Sequence, residues 1–160
     1  MEGSILLMAI LFVVGIFGLP NMAQPQSPTP TIVQLTPGEV KWMTSPSLTG
    51  GAQRAVVYGN ATKPELYIML FKLPANWKNP PHSHPVEQVI TVLSGTIYSG
   101  VGESYDPHKL KMFPAGSVYT DPLNMPHFTE TRAEEVILQA TGVGPLRTQY
   151  VNPADNPRKK

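Results

Sequence analysis

The sequence predicts an all-β domain (a sandwich, barrel or jelly roll), and three observations carry that expectation. Runs of four to eight β-branched, aromatic or apolar residues recur along the chain, as in Leu66–Leu73 (LYIMLFKL) and Gln88–Ser94 (QVITVLS). The chain holds 18 prolines and 13 glycines, which suit tight connections between strands better than helices. Past the N-terminal segment, no stretch of ten residues keeps a 3.6-residue apolar period.

Taken in order, the chain opens with Ile5–Leu19, an unbroken apolar run that stops at Pro20. It suits the core of a signal peptide and falls short of the about 20 residues that a membrane span needs. The leader Met1–Ser4 lacks Lys and Arg, and Asn21 stands where cleavage after Ala23 prefers a small residue. Residues 1–23 are therefore read as a signal peptide or an N-terminal anchor. The protein is expected to be exported, periplasmic or secreted, and to touch a membrane only if this segment is retained. Residues 24–39, rich in Pro with Gln, Ser and Thr, read as an extended linker. Strands are expected over Ile32–Leu35, Val40–Met43, Ala55–Tyr58, Leu66–Leu73, Gln88–Ser94, Thr96–Val101, Leu110–Phe113, Ser117–Thr120, His127–Thr131, Glu135–Thr141 and Thr148–Val151. Val89–Leu93 is apolar or β-branched throughout, as in a strand covered on both faces. Ser94-Gly95 reads as a tight hairpin to the next strand. Residues 152–160 read as a polar, solvated tail.

Composition excludes several function classes. Charged residues make up 14% of the chain and the formal net charge is +1, with no basic stripe, which argues against nucleic acid as a partner. There is no cysteine, so thiolate metal sites, disulfides and Cys nucleophiles are absent. Gly142-Val143-Gly144 precedes Pro145 rather than a helix and is no nucleotide loop.

The chemistry concentrates in Trp77–Gly95 (WKNPPHSHPVEQVITVLSG), which holds two of the four histidines. Pro85 pushes His84 towards an extended backbone, where alternate side chains share a face. His82, His84 and Gln88 then have one parity and Glu87 the other. Two imidazoles and an amide oxygen could meet at one point, a donor set suited to a divalent first-row metal. The bland alternative is a pair of loop imidazoles satisfied by water or backbone, with Gln88 supplying only a hydrogen bond. His127, expected to point inward beside Met125 and Thr129, could complete the site. His108, between Pro107 and Lys109, reads as a surface turn.

The pattern His82, His84, Gln88, Gly95, followed by Pro114-Ala115-Gly116 and Pro126-His127, resembles the two ordered signature motifs of the cupins. It covers roughly Val40 to Val151. The resemblance implies a single jelly-roll (double-stranded β-helix) cupin barrel over residues 40–151, of the small secreted type. It implies metal ligands His82, His84, Gln88 and His127, a metal drawn from Fe, Mn, Ni and Zn, and a homodimer. Many cupins place Glu where this chain has Gln88; a neutral ligand would leave the metal a stronger Lewis acid. Tyr119, between the halves of the second motif, is the candidate catalytic proton or hydrogen-bond donor. Tyr67, Met69, Trp77, Tyr98 and Phe128 are further candidates for the barrel mouth, with core packing the simpler reading of each. Arg54, Arg132 and Arg147 could clamp a substrate carboxylate, though arginines are more often simply exposed.

Two function classes follow. One is a metal-dependent enzyme on a small organic molecule, a dioxygenase if the metal binds O₂, or an isomerase or lyase if it polarises a carbonyl or enol. The other is a non-catalytic module binding a metal or a small ligand. A fold alone does not choose between them.

Overall fold

The computed structural model describes residues 32–159. The expected signal or anchor segment, residues 1–23, and the linker as far as residue 31 lie outside the described residues. Eleven strands follow: β1 Met43–Thr44, β2 Gln53–Gly59, β3 Leu66–Leu73, β4 Lys78–Ser83, β5 Gln88–Ser94, β6 Thr96–Val101, β7 Lys111–Pro114, β8 Val118–Asp121, β9 His127–Thr131, β10 Val136–Val143 and β11 Gln149–Tyr150. They form two antiparallel sheets, ordered β1-β2-β3-β10-β5-β8 and β11-β4-β9-β6-β7. This is the expected jelly roll. Four strands (β3, β5, β6 and β9) have the bounds expected from sequence, because runs of β-branched and aromatic residues between turn residues end where the pleat ends.

Other expectations fail for identifiable reasons. Ile32–Leu35 forms no strand; it is exposed and leads into a 3-10 turn at Pro37–Glu39, capped where Glu39 accepts from the Thr36 backbone. The strand expected at Val40–Met43 is reduced to Met43–Thr44. β4 was not expected, since its sequence is Lys-Asn-Pro-Pro-His-Ser and proline cannot donate to a ladder. The structure accommodates both prolines at a register shift against β9, between Asn79 and His82, where no N–H is required of them.

Ser94-Gly95 is not a hairpin either. β5 pairs with β10 and β8, whereas β6 pairs with β7 and β9, so the chain passes there from one sheet to the other. Gly95 has φ +73° and a Cβ on it would lie 2.5 Å from the Glu135 carbonyl oxygen, so only glycine makes this corner. Strand β5 is covered on one face only. Gln88, Ile90 and Val92 point inward, while Val89 and Leu93 are 41% and 47% exposed.

The core lies between the sheets. Leu73, Trp77, Ile90, Val92, Ile97, Val136 and Leu138 form one cluster, and Ala61, Tyr67 and Met69 a second. Burial of each larger side chain contributes about 1.5–3 kcal/mol. Trp77 is tied at both ends of the residue: its backbone N–H donates to Thr131 Oγ1 (2.9 Å) and its indole N–H to the Thr49 carbonyl (2.8 Å). These bonds pin the start of the segment that carries the first two histidines. Residues 152–159 are exposed or half-buried. Two 3-10 turns, Pro153–Asp155 and Pro157–Lys159, bring Arg158 to the rim of the internal cavity.

Candidate metal centre

His82 lies on β4, His84 follows that strand's last residue, and His127 opens β9. His82 and His127 are direct partners across the two strands. All three side chains are buried, and one ring nitrogen from each lies within 4.8 Å of the others, a grouping that could hold a metal ion. The ring centroids stand 4.3 Å (His82–His127), 5.0 Å (His82–His84) and 5.3 Å (His84–His127) apart.

The hydrogen bonds decide which nitrogens converge. His82 Nδ1 meets the Pro80 carbonyl at 2.7 Å, His84 Nδ1 the Arg147 carbonyl at 2.8 Å, and His127 Nδ1 the Met125 carbonyl at 3.0 Å. A carbonyl only accepts, so each Nδ1 carries the proton and donates it, and each Nε2 is left to face the cavity. Backbone carbonyls thus set both the tautomer and the ring orientation, the arrangement found behind metal-ligating histidines. Burial pushes His82 far below its ordinary value, helped by its imidazole neighbours, and takes His84 down to about 4. Both rings are therefore neutral near pH 7, as ligation requires.

Asp121, which sequence reasoning missed, completes this end of the site. Its Oδ2 lies 3.5 Å from His127 Nε2. A nitrogen lone pair and a carboxylate oxygen at that separation repel unless a proton or a metal cation lies between them, so the donor set fits a cation. Burial raises the Asp121 carboxyl, and charge on His127 opposes the rise. Tyr119 is singled out by its place between the halves of the second motif; strand alternation puts residue 121 on the same face, and applying it there would have found Asp121. Asn79 was missed with β4 itself. Its Oδ1 accepts from the Tyr150 hydroxyl (3.1 Å), and its Nδ2 donates to His82 Nε2 (3.1 Å).

Gln88 reaches the same cavity from the other sheet. It is buried, and its Oε1 accepts from the Tyr67 hydroxyl at 3.3 Å. The shared parity of His82, His84 and Gln88 does not run along one strand, because the chain bends at Pro85-Val86 and changes sheet. Glu87 is exposed. Gly142 leaves room for this contact: a Cβ there would lie 2.7 Å from the Tyr67 hydroxyl and 2.9 Å from the Glu87 carbonyl. The Gly-Val-Gly run serves packing. Tyr67 is pushed up to about 12 by burial and by the Asp121 charge, so its hydroxyl stays protonated and donates.

Tyr119 lines the cavity with its ring 4.5 Å from that of Phe113. Burial, then the Asp121 charge, hold its hydroxyl well above the ordinary value. Met69 and Trp77 also line the cavity, which measures about 260 Å³. Tyr67, Tyr98 and Phe128 do not; Tyr67 is fully buried behind Gln88. Arg132 stacks on Tyr98, 3.8 Å from the ring centroid, and Phe128 is fully buried beside Tyr105. Arg54 and Arg147 line the cavity, whereas Arg132 pairs with Glu130 at 3.2 Å. His108 is exposed in its 3-10 turn. Met125 precedes β9 and contributes its carbonyl rather than an inward side chain.

No family model matches the chain, and no curated protein does. Solved structures do match in fold. The polyketide cyclase RemF from Streptomyces resistomycificus is 16% identical with a TM-score of 0.66, over 81% of this chain and 92% of that one. A cupin 2 conserved barrel domain protein from Rhodopseudomonas palustris is 14% identical with a TM-score of 0.57, over 76% and 86%. KdgF from a Halomonas species is 16% identical with a TM-score of 0.56, over 72% and 96%. The chain has the cupin fold.

Proposed function

We propose that the protein is a metal-dependent cupin enzyme acting on a small organic molecule, of the isomerase or lyase type, in an exported location. The observation that carries this reading is the set of three buried imidazoles. Each is held through Nδ1 by a backbone carbonyl so that its Nε2 faces one cavity. His82, His84 and His127 would hold a divalent transition metal (Fe, Mn, Ni or Zn), with Gln88 Oε1 as an oxygen donor once it gives up Tyr67. When bound, the metal supplies Lewis acidity towards a substrate carbonyl or enol oxygen.

The chain's own groups suit proton chemistry beside that centre. Tyr119 and Tyr67 are protonated donors, and Asp121 is a carboxylate that can take a proton or return it. Trp77, Ile90 and Leu138 line the cavity and limit the water in it. A neutral Gln88 in place of a carboxylate, together with these proton donors, favours Lewis-acid chemistry over dioxygenation. One of the fold relatives is named a polyketide cyclase. A homodimer is part of the proposal, on the resemblance alone.

The test is metal content of the full chain by mass spectrometry, beside His82→Ala and Gln88→Ala. One metal per chain, lost in His82→Ala and weakened in Gln88→Ala, is the expected result. No metal in any form after reconstitution would sink the reading. Metal-loaded protein that consumes O₂ with a phenolic or sugar-acid panel would move it to the dioxygenase type. A bound ligand without turnover would leave a binding module.

A further inference from the structure

Besides the histidines, the cavity lining carries a second signature. Arg54, on β2, sits opposite Phe71 of β3 and lines the cavity. Its Nε is buried and has no hydrogen-bond partner, and Arg54 makes no ion pair among the described residues. A buried N–H of a permanent cation is costly to leave unpaired, because the desolvation penalty goes uncompensated. Arg147 and Arg158 line the same cavity, whereas the one acidic side chain lining it, Asp121, lies against His127. The walls between are apolar: Met69, Phe71, Ile90 and Leu138.

We propose that Arg54 is a substrate-binding residue that takes the carboxylate of an organic acid, with Arg147 and Arg158 closing over it at the rim. This deepens the proposed function and rests on it, since the same cavity holds the candidate metal centre. A guanidinium fork pairs with a carboxylate through two parallel hydrogen bonds, and its planarity matches that group. A phosphate is the poorer occupant, because no glycine-rich loop or helix N-terminus points backbone N–H groups into this cavity among the described residues. The substrate would thus be an anionic molecule with an apolar middle, its carboxylate at Arg54 and its reacting carbonyl or enol towards the histidines.

Isothermal titration of the metal-loaded full chain with benzoate, benzamide and phenylphosphonate tests this. Benzoate should bind at least about tenfold more tightly than benzamide, and Arg54→Gln should remove about that factor for benzoate alone. Thermal melting and metal content identify a variant that has merely failed to fold. In that case the Arg147→Gln/Arg158→Gln double variant takes its place, with a smaller loss expected in the same direction. Equal binding of benzoate and benzamide, or benzoate binding unchanged in the folded variants, overturns the proposal. So does phenylphosphonate binding more tightly than benzoate with the same dependence on Arg54. Repeating the titration after chelation separates the two readings. Arg54-dependent preference for benzoate in a chain that never holds metal sustains the subsite and removes the metal centre; metal held with no such preference does the reverse.

Discussion

The five-stranded sheet presents nitrogen to the cavity, and the six-stranded sheet presents oxygen and positive charge. His82, His84 and His127 come from β4, its continuation and β9, and main-chain carbonyls fix all three. Gln88, Asp121, Tyr119 and Arg54 come from β5, β8 and β2, with Tyr67 of β3 behind Gln88. These are tied side chain to side chain, as Tyr67 is to Gln88, or left without a partner, as Arg54 Nε is. The difference separates a cage already set for one ion from a wall whose groups settle according to what enters. Preorganisation costs least where backbone holds the ring, and adaptability is kept where side chains hold each other.

The largest effect should come from breaking the rigid side. His127→Ala removes a ring partner of both other histidines, and metal affinity should fall by more than the about 10–100-fold typical of an outer-sphere change. Competition against a chromophoric chelator measures it; retention of full stoichiometry at unchanged affinity would mean that the three rings are not the ligand set.

Next in size is an acid effect on the metal-free protein. His84 sits at about 4 in the fold against an ordinary 6.5, because burial penalises its charged form. Between those values the unfolded chain binds the proton and the folded one does not, so stability is lost as pH falls through that window. At about 1.36 kcal/mol per pH unit the loss is roughly 3 kcal/mol, and His82 adds in the same direction. Urea melts of the chelated full chain at pH 7 and pH 4.5 should show the drop; flat stability would mean that the rings are solvated.

Asp121→Asn sharpens the comparison, since Asp121 on the six-stranded sheet lies 3.5 Å from the His127 ring nitrogen. Removing its charge should weaken metal binding by about 10–100-fold while leaving one metal site. The smallest effect belongs to Tyr67→Phe. It frees the Gln88 amide from a 3.3 Å bond, and metal affinity should change by less than about threefold, in either direction. A loss as large as that of His127→Ala would show the two walls to be one coupled unit.

Much of this architecture was legible beforehand because it is written in local alternation. The strands β3, β5, β6 and β9 follow from residue type and spacing, whereas His82, His84, Gln88 and His127 were singled out together by the cupin-like motifs, since the parity that joined the first three breaks at Pro85-Val86. Strand β4 was hidden, because Pro80-Pro81 speaks against a ladder unless a register shift excuses both from donating. Asn79 and Tyr150 went unnoticed with it, being 71 residues apart and joined only by the fold.

By itself the sequence determined an all-β chain of short strands joined by Pro and Gly turns, and the cupin resemblance of its histidine motifs selected the barrel among sandwich, barrel and jelly roll. Period 2 and the turn residues decide the strands within a few positions of each residue. Only the tertiary structure decided which nitrogen of His84 faces the cavity, since its carbonyl partner belongs to Arg147, 63 residues away, whereas His82 and His127 bond carbonyls two residues before them. It also decided that Asp121 stands beside His127, that Gly95 is a crossing between sheets, and that Arg54 and Arg158 meet one cavity. Those facts depend on which strands become neighbours, and pairing between distant strands is set by the burial of the whole core rather than by any local pattern.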